Sequence, residues 1–250
     1  MSSPKPFTLP LLPPKLDISK HISLVVDANK AIARYDEAQR RLPNPNIIVV
    51  PLASLEAQRS SSVEGTQATY DDFLAGEDNP DTSTDKGKDI QEIKNYRDAI
   101  LASKKLLKKR PLSENVVKDL NRILLSSVRG ANRSPGEFRR HQVHIGKPGS
   151  TVDEATYIPP IHTAIPNLFS NLVNYIQDDA QPDRLVQAAV MHYQFEAIHP
   201  FSDGNGRTGR IMVPVYLYEK SITSEPNMYI SEFIDKYRRD YYETLQGVSR

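Results

Sequence analysis

Twelve consecutive residues, His199-Pro200-Phe201-Ser202-Asp203-Gly204-Asn205-Gly206-Arg207-Thr208-Gly209-Arg210, constrain this chain more than any other stretch. They hold one imidazole, one carboxylate, three glycines and two arginines. Upstream, Leu185, Ala188, Ala189, His192, Phe195 and Ile198 recur at helical spacing. Downstream, residues 211–219 also suit a helix, although Pro214 and the β-branched residues lower their propensity. The stretch is therefore expected to be a Gly-rich turn between two helices. Such a turn directs successive backbone N–H groups at one point, and the following helix adds its positive end, which makes a seat for an anion. Arg207 and Arg210 lie three residues apart, so they share a helix face and can grip further phosphate oxygens.

A metal ligand and a base accompany that seat. Asp203 supplies hard carboxylate oxygens of the kind Mg²⁺ takes together with phosphate oxygens and water. His199 titrates near neutral pH and can accept a proton from an attacking hydroxyl. The set suits a nucleotide polyphosphate beside a base that activates a nucleophile. At every fixed position the run resembles the Fic family signature, His-Pro-Phe-x-Asp/Glu-Gly-Asn-Gly-Arg-x-x-Arg. The resemblance implies transfer of AMP from ATP to a Ser, Thr or Tyr hydroxyl of a target protein. In that case His199 is the base and Asp203 holds Mg²⁺. Gly204, Asn205 and Gly206 form the anion hole at the α- and β-phosphates, Arg207 steadies the β-phosphate and Arg210 the γ-phosphate.

A second stretch, Ser60-Ser61-Ser62-Val63-Glu64-Gly65, reads by itself as a serine-rich turn into a short helix that Gly65 stops. Beside the motif it resembles the family's inhibitory pattern, Ser/Thr-x-x-x-Glu-Gly/Asn. The resemblance implies that Glu64 pairs with Arg210 and occupies the fork the γ-phosphate needs, so that the resting enzyme is autoinhibited. Ser60 is expected to hold the short helix through its hydroxyl. It also implies a mainly α fold, a Fic-type helical bundle with one β-hairpin flap that pairs with the target by β-augmentation. Tyr241, in the last helix, falls where a family tyrosine lies near the adenine pocket. With Glu64 orienting a water, the same site would instead remove AMP from a modified protein. A non-catalytic nucleotide-sensing adaptor is a third reading. Self-modification and a homodimer stay open. Many relatives continue into a winged-helix module; the chain stops at Arg250 without one, as expected of a shorter or truncated form.

Composition narrows the partners. Thirty-two basic residues against 31 acidic ones give no field favouring nucleic acid or an anionic membrane. The chain has no cysteine, prolines interrupt its first residues, and no apolar run nears the ~20 residues of a membrane span. A cytoplasmic protein is expected.

Along the chain, residues 1–16 read as a proline-rich arm that straps onto the body. Residues 17–87 form an N-terminal helical region carrying the inhibitory helix at about 58–66, and residues 88–250 the catalytic core. Helices are expected over 18–42, over 47–57 despite four β-branched residues in a row, over 90–109, and after Ser113 as N-cap. Residues 76–89 read as a polar loop, and the lysines near 104–109 as a solvated helix end. Residues 143–146 and 155–158 are the expected hairpin, within a flap at about 141–159 that turns at Lys147-Pro148-Gly149-Ser150. His141 and His144 read as surface or packing residues, and the pair Arg139-Arg140 as structural rather than phosphate-binding. A helix follows Pro159-Pro160 with Ile161, Ile165, Leu168, Phe169 and Leu172 on one face. His192 reads as a buried, hydrogen-bonded residue, not a zinc ligand, because no third ligand has suitable spacing. One last helix is expected over 231–247, with Phe233, Ile234, Tyr237, Tyr241 and Leu245 facing the core.

Overall fold

The computed structural model describes residues 5–128, 131–146 and 149–248. Its centre is the helix that begins inside the twelve-residue motif. That helix, α8 (Asn205–Glu219), buries twelve of its residues, from Asn205 and Arg207 to Leu217. Being covered all round, it shows no polar stripe, as expected of a central helix. It packs against α2 (Asn46–Val63), α4 (Asp85–Leu107), α5 (Glu114–Leu124) and α7 (Arg184–Ile198). Outside these lie α1 (Ile22–Arg40), α3 (Tyr70–Gly76) and α6 (Ile165–Gln177), followed by α9 (Ser231–Lys236) and α10 (Arg238–Val248). The core includes Phe73, Ile93, Tyr96, Leu120, Phe169, Phe195, Phe201, Ile211 and Tyr216.

The helix caps follow local chemistry. Asp183 starts α7 by accepting from the N–H groups of Leu185 and Val186. Thr84 accepts from Gly87 N–H and starts α4, five residues earlier than the apolar pattern suggested. Helix α3 falls in a stretch given no element by periodicity. Its signal is a capping box, in which Thr69 and Asp72 each accept from the other's backbone N–H. The loop between α3 and α4 is consequently shorter than expected. Ser113 stands at the N-cap of α5, but its side chain makes no capping bond.

Several expectations are corrected. Among the described residues there is no strand; the hairpin is reduced to a single antiparallel bridge, Ile145 to Tyr157. Its Ile145 N–H donates to Tyr157 O at 2.8 Å, and Tyr157 N–H returns to Ile145 O at 3.1 Å. Lys147 and Pro148, in the expected turn, lie outside the described residues. The separate inhibitory helix is instead the last turn of α2, which runs on through Pro51 to Val63. Ile161 precedes α6 and is exposed. The last helix is two: the chain breaks at Tyr237 (φ −116°, ψ 38°), and Phe233 is 68% exposed rather than core. Arg238, just after the break, pairs with Asp235 and donates to Ser62 O at 3.0 Å, tying this corner to the end of α2.

The proline-rich arm lies along the body. Phe7 N–H donates to Ile158 O, Leu12 exchanges two hydrogen bonds with the Asn171 side chain, and Gln194 donates to Pro10 O. Leu9 is buried. No described helix is long and apolar enough to cross a membrane.

Candidate active site

His199 ends α7 in the left-handed conformation (φ 48°, ψ 60°), where its N–H still donates to Phe195 O at 3.0 Å. A non-glycine residue accepts that conformation only when its surroundings hold it. Arg139 does the holding. Its Nε donates to His199 O at 2.9 Å and its Nη groups reach the carbonyls of His141, Pro160 and Ile198. Arg139 is 3% exposed, and burial pushes its pKa down to about 10. Arg139 thus has the structural rather than phosphate-binding role expected of the pair Arg139-Arg140, and what it braces is the backbone of His199. Burial, and then Arg139, push the His199 imidazole down to about 4, only partly opposed by the Glu196 main chain and Glu64. The ring is therefore neutral at pH 7 and able to take a proton.

The chain then turns into α8. Gly204, the N-cap residue, has φ 74°, a conformation that glycine adopts without penalty. Asn205 locks the turn with its side chain: Nδ2 donates to Phe201 O and Oδ1 accepts from Phe201 N–H, both at 2.9 Å. Its contribution to an anion hole is thus its main chain. The first intrahelical bond is Thr208 N–H to Gly204 O, so the N–H groups of Asn205, Gly206 and Arg207 stand at the open end of the helix. Asp203 lies beside them, with Oδ1 accepting from Gly204 N–H at 2.6 Å and lying 3.6 Å from Arg207 Nη2 in an ion pair. The carboxylate is 37% exposed and borders a polar pocket shared with Glu64, Thr66, Glu92, His199 and Arg207. No group of three potential protein ligands forms among the described residues. A single carboxylate at the mouth of an anion seat fits Mg²⁺, which draws its remaining ligands from phosphate and water.

Both arginines are taken by carboxylates from outside the motif. Arg210, 1% exposed, donates from Nη2 to Glu64 Oε1 at 2.7 Å and to Ser60 O at 3.0 Å, and from Nε to Ser60 Oγ at 2.7 Å. Ser60 is expected to help hold its helix through the hydroxyl, and the partner of that hydroxyl is Arg210 on α8. Burial would raise the Glu64 carboxyl, but Arg210, aided by Arg207 and His199, holds it below the usual value. Burial opposes the Arg210 charge, yet Glu64 and then Tyr96, Tyr241 and Glu196 keep its pKa above normal. Gly206 makes this approach possible, since a Cβ there would overlap Glu64 Oε1. Gly65, at φ 100°, turns the chain out of α2 just after Glu64. Arg207 Nη1 meets Glu92 Oε2 at 3.3 Å, with both side chains 6% exposed. Glu92 also accepts from Thr66 Oγ1, and Asp89 from Gln67 N–H, so α4 grips the segment that follows Glu64.

Next to this polar pocket opens an apolar one of about 170 Å³, reaching from Gly206 and Arg210 to Tyr193, Tyr241, Tyr242 and Leu245. Ile145 and Tyr157 of the flap segment close one side, and Tyr157 OH donates to Ala197 O at 2.9 Å. Tyr241 is in the pocket wall. His192 holds it: Nδ1 faces Gly209 O at 3.2 Å and Nε2 faces Tyr241 OH at 2.8 Å. Burial pushes His192 down to about 4, so the ring is neutral, and the hydroxyl donates to Nε2 if Nδ1 carries the proton. Glu196, also in the wall, had not been singled out in the sequence. Its one signal was an acidic residue inside the apolar run Phe195-Glu196-Ala197-Ile198.

The structure thus brings His199, Asp203, Gly204, Asn205, Gly206, Arg207, Arg210 and Tyr241 to one cleft, with Ser60, Glu64 and Gly65 at its edge. A model described as Fic/DOC family N-terminal matches residues 22–103, and one described as Fic/DOC family matches residues 111–217. A probable protein adenylyltransferase of Aquifex aeolicus is 38% identical over 68 residues, 27% of this chain and 21% of its own. The protein adenylyltransferase Fic of Culex quinquefasciatus is 34% identical over 115 residues, 44% of this chain and 20% of its own. The matched stretches are thus about a fifth of these relatives' length. Among solved structures, a Fic family protein from Desulfovibrio desulfuricans superposes with a TM-score of 0.73 at 23% identity, covering 94% of this chain and 68% of that one. Fic-1 from C. elegans gives 0.63 at 18% identity, covering 92% and 68%. The two family models together take in both the helix that ends in Glu64 and the loop from His199 to Arg210, and the chain belongs to the Fic/DOC family.

Proposed function

We propose that this chain transfers AMP from ATP to a Ser, Thr or Tyr hydroxyl of a protein, and that it rests in an inhibited state. The observation that carries the reading is the neutral His199 imidazole beside the open N-terminus of α8. The hydroxyl oxygen attacks the α-phosphorus in line while His199 takes its proton. The bond to the bridging oxygen breaks, and pyrophosphate leaves. The main-chain N–H groups at Asn205, Gly206 and Arg207 face the developing negative charge. Asp203 would hold Mg²⁺, which offsets charge on the phosphates when bound. Arg210 is the γ-phosphate ligand, and Glu64 now occupies its fork. The target segment would add to the exposed backbone beside the Ile145–Tyr157 bridge.

A test uses ATP labelled at either the α- or the γ-phosphate, with Glu64→Gly protein, Mg²⁺ and a lysate. Label from the α position alone on protein supports AMP transfer; label from the γ position alone would mean phosphate transfer and overturn it. A second reading draws on Glu64 lining the same pockets as His199, where it could orient a water for AMP removal. Release of AMP from a modified protein by the wild type, lost in Glu64→Gly, would favour that direction.

A further inference from the structure

The proline-rich arm runs onto the outer edge of the flap segment. Residues 143–146 and 155–158 of the flap meet at one pair, Ile145 with Tyr157, which exchange two main-chain hydrogen bonds, and Thr156 N–H adds a third to Ile145 O at 2.7 Å. A two-stranded hairpin is marginal by itself and needs a third extended segment or a packed face. In an antiparallel pair, the residues flanking a hydrogen-bonded position turn their N–H and C=O groups away from the partner. Ile158, next after Tyr157, therefore faces outwards, and its carbonyl accepts from Phe7 N–H at 2.8 Å. The Phe7 ring packs on the Tyr157 ring, with centroids 5.8 Å apart. From there the arm runs inward. Leu9 is buried in the core, Pro10 O accepts from Gln194 Nε2 at 3.1 Å, and Leu12 exchanges bonds of 2.8 and 3.1 Å with the Asn171 side chain. Gln194 belongs to α7, so the helix that delivers His199 is also an anchor of the arm.

We propose that residues 7–12 brace the flap: Phe7 adds to its outer edge as a third extended segment, and the anchors at Gln194 and Asn171 tie that edge to α7 and α6. The flap is thereby held over the cleft in the posture that receives a protein substrate. The inference rests on the flap docking the target, as proposed above. What the flap touches shows why its posture matters. Ile145 and Tyr157 close one side of the apolar pocket, and Tyr157 OH donates to Ala197 O, two residues before His199. The composition of the arm suits a brace. Pro6, Pro10, Pro13 and Pro14 fix φ and hold the arm extended before it docks, so that little conformational entropy is lost. They also lack an N–H, which blunts the arm's own free edge against pairing with a further strand. Phe7 keeps the one donor that the flap edge requires.

The test is amide hydrogen exchange, read by mass spectrometry, on the whole chain as wild type, Phe7→Pro, Phe7→Tyr and Asn171→Leu. Phe7→Pro removes both the donor and the ring, Phe7→Tyr keeps both, and Asn171→Leu releases the arm at the end far from the flap. Peptides spanning 143–146 and 155–158 are expected to exchange at least about tenfold faster in Phe7→Pro, and severalfold faster in Asn171→Leu, with α8 unchanged. Phe7→Tyr should exchange as wild type does. Flap exchange that ignores both Phe7→Pro and Asn171→Leu would overturn the proposal. So would an equal acceleration in α8, which would make the arm a support of the whole body rather than of the flap. In a Glu64→Gly background at saturating MgATP, Phe7→Pro should lower AMP incorporation into lysate proteins at least about fivefold, and Phe7→Tyr should not. Undiminished incorporation with a loosened flap would overturn the docking role. If Glu64→Gly labels no protein, the transfer reading fails, and the exchange comparison still decides the brace.

Discussion

At the scale of single residues, each motif arginine answers to a carboxylate far away in sequence: Arg210 to Glu64 and Arg207 to Glu92. A phosphate must displace or rearrange both. His199 depends in turn on Arg139, whose one guanidinium binds four main-chain carbonyls. In a Glu64→Gly background, Arg139→Ala is expected to lower kcat for AMP transfer by about tenfold or more with little change in KM for ATP. It should also cost about 1–3 kcal/mol in chemical denaturation, because buried carbonyls lose their donor. Arg139→Lys should restore little, since an ammonium cannot span the four acceptors. An unchanged kcat would show that the imidazole needs no such clamp. The motif residues were legible because their chemistry is contiguous, and Ser60 and Glu64 because their spacing is a pattern. Arg139, Glu92 and Glu196 were not, since each acts through a partner that only the tertiary fold brings near.

At the scale of elements, inhibition is a property of how α2 ends. Its last turn carries Ser60 and delivers Glu64 at the C-cap, and Gly65 at φ 100° sends the chain towards Thr66 and Gln67, which α4 holds. Arg238 caps the same end through Ser62 O. Gly65→Ala meets no neighbouring atom, yet it must adopt a conformation that L side chains rarely take. It should destabilise by about 1 kcal/mol and raise basal AMP transfer severalfold as Glu64 loosens. A rise in stability with unchanged transfer would show that the turn does not hold Glu64. Elements with strong periodicity or proline punctuation, such as α5 and α6, could be read directly. The short α3 could not, because its evidence is a cap rather than a stripe, and the break at Tyr237 left no mark in the spacing of Phe233, Tyr237 and Tyr241. The flap reads as two alternating stretches, yet only Ile145 and Tyr157 pair among its described residues.

For the whole molecule, burying ionisable groups around one cleft links stability to pH with opposing signs. His192 and His199, both depressed to about 4, contribute stability that is present above about 6.5 and lost as pH falls towards 4. Glu56 and Glu196, raised to about 7 and about 8, contribute stability that is present below about 4.5 and lost as pH climbs through those values. Below pH ~6.5 the two sets offset one another; above it only the carboxyls still titrate. Thermal stability should therefore decline from pH ~6.5 to ~8.5, and Glu56→Gln with Glu196→Gln should flatten that slope. A flat wild-type profile would contradict the protonated state of both acids. The central claim, a working base held idle by one ion pair, has a more direct test: AMP transfer from labelled ATP with Mg²⁺ by wild type, Glu64→Gly, and Glu64→Gly with His199→Ala. The account expects weak labelling by wild type, at least about tenfold more by Glu64→Gly, and a fall of roughly 10²–10⁴-fold when His199 is removed. Equal labelling by wild type and Glu64→Gly would contradict the inhibition, and undiminished labelling without His199 would contradict the chemistry.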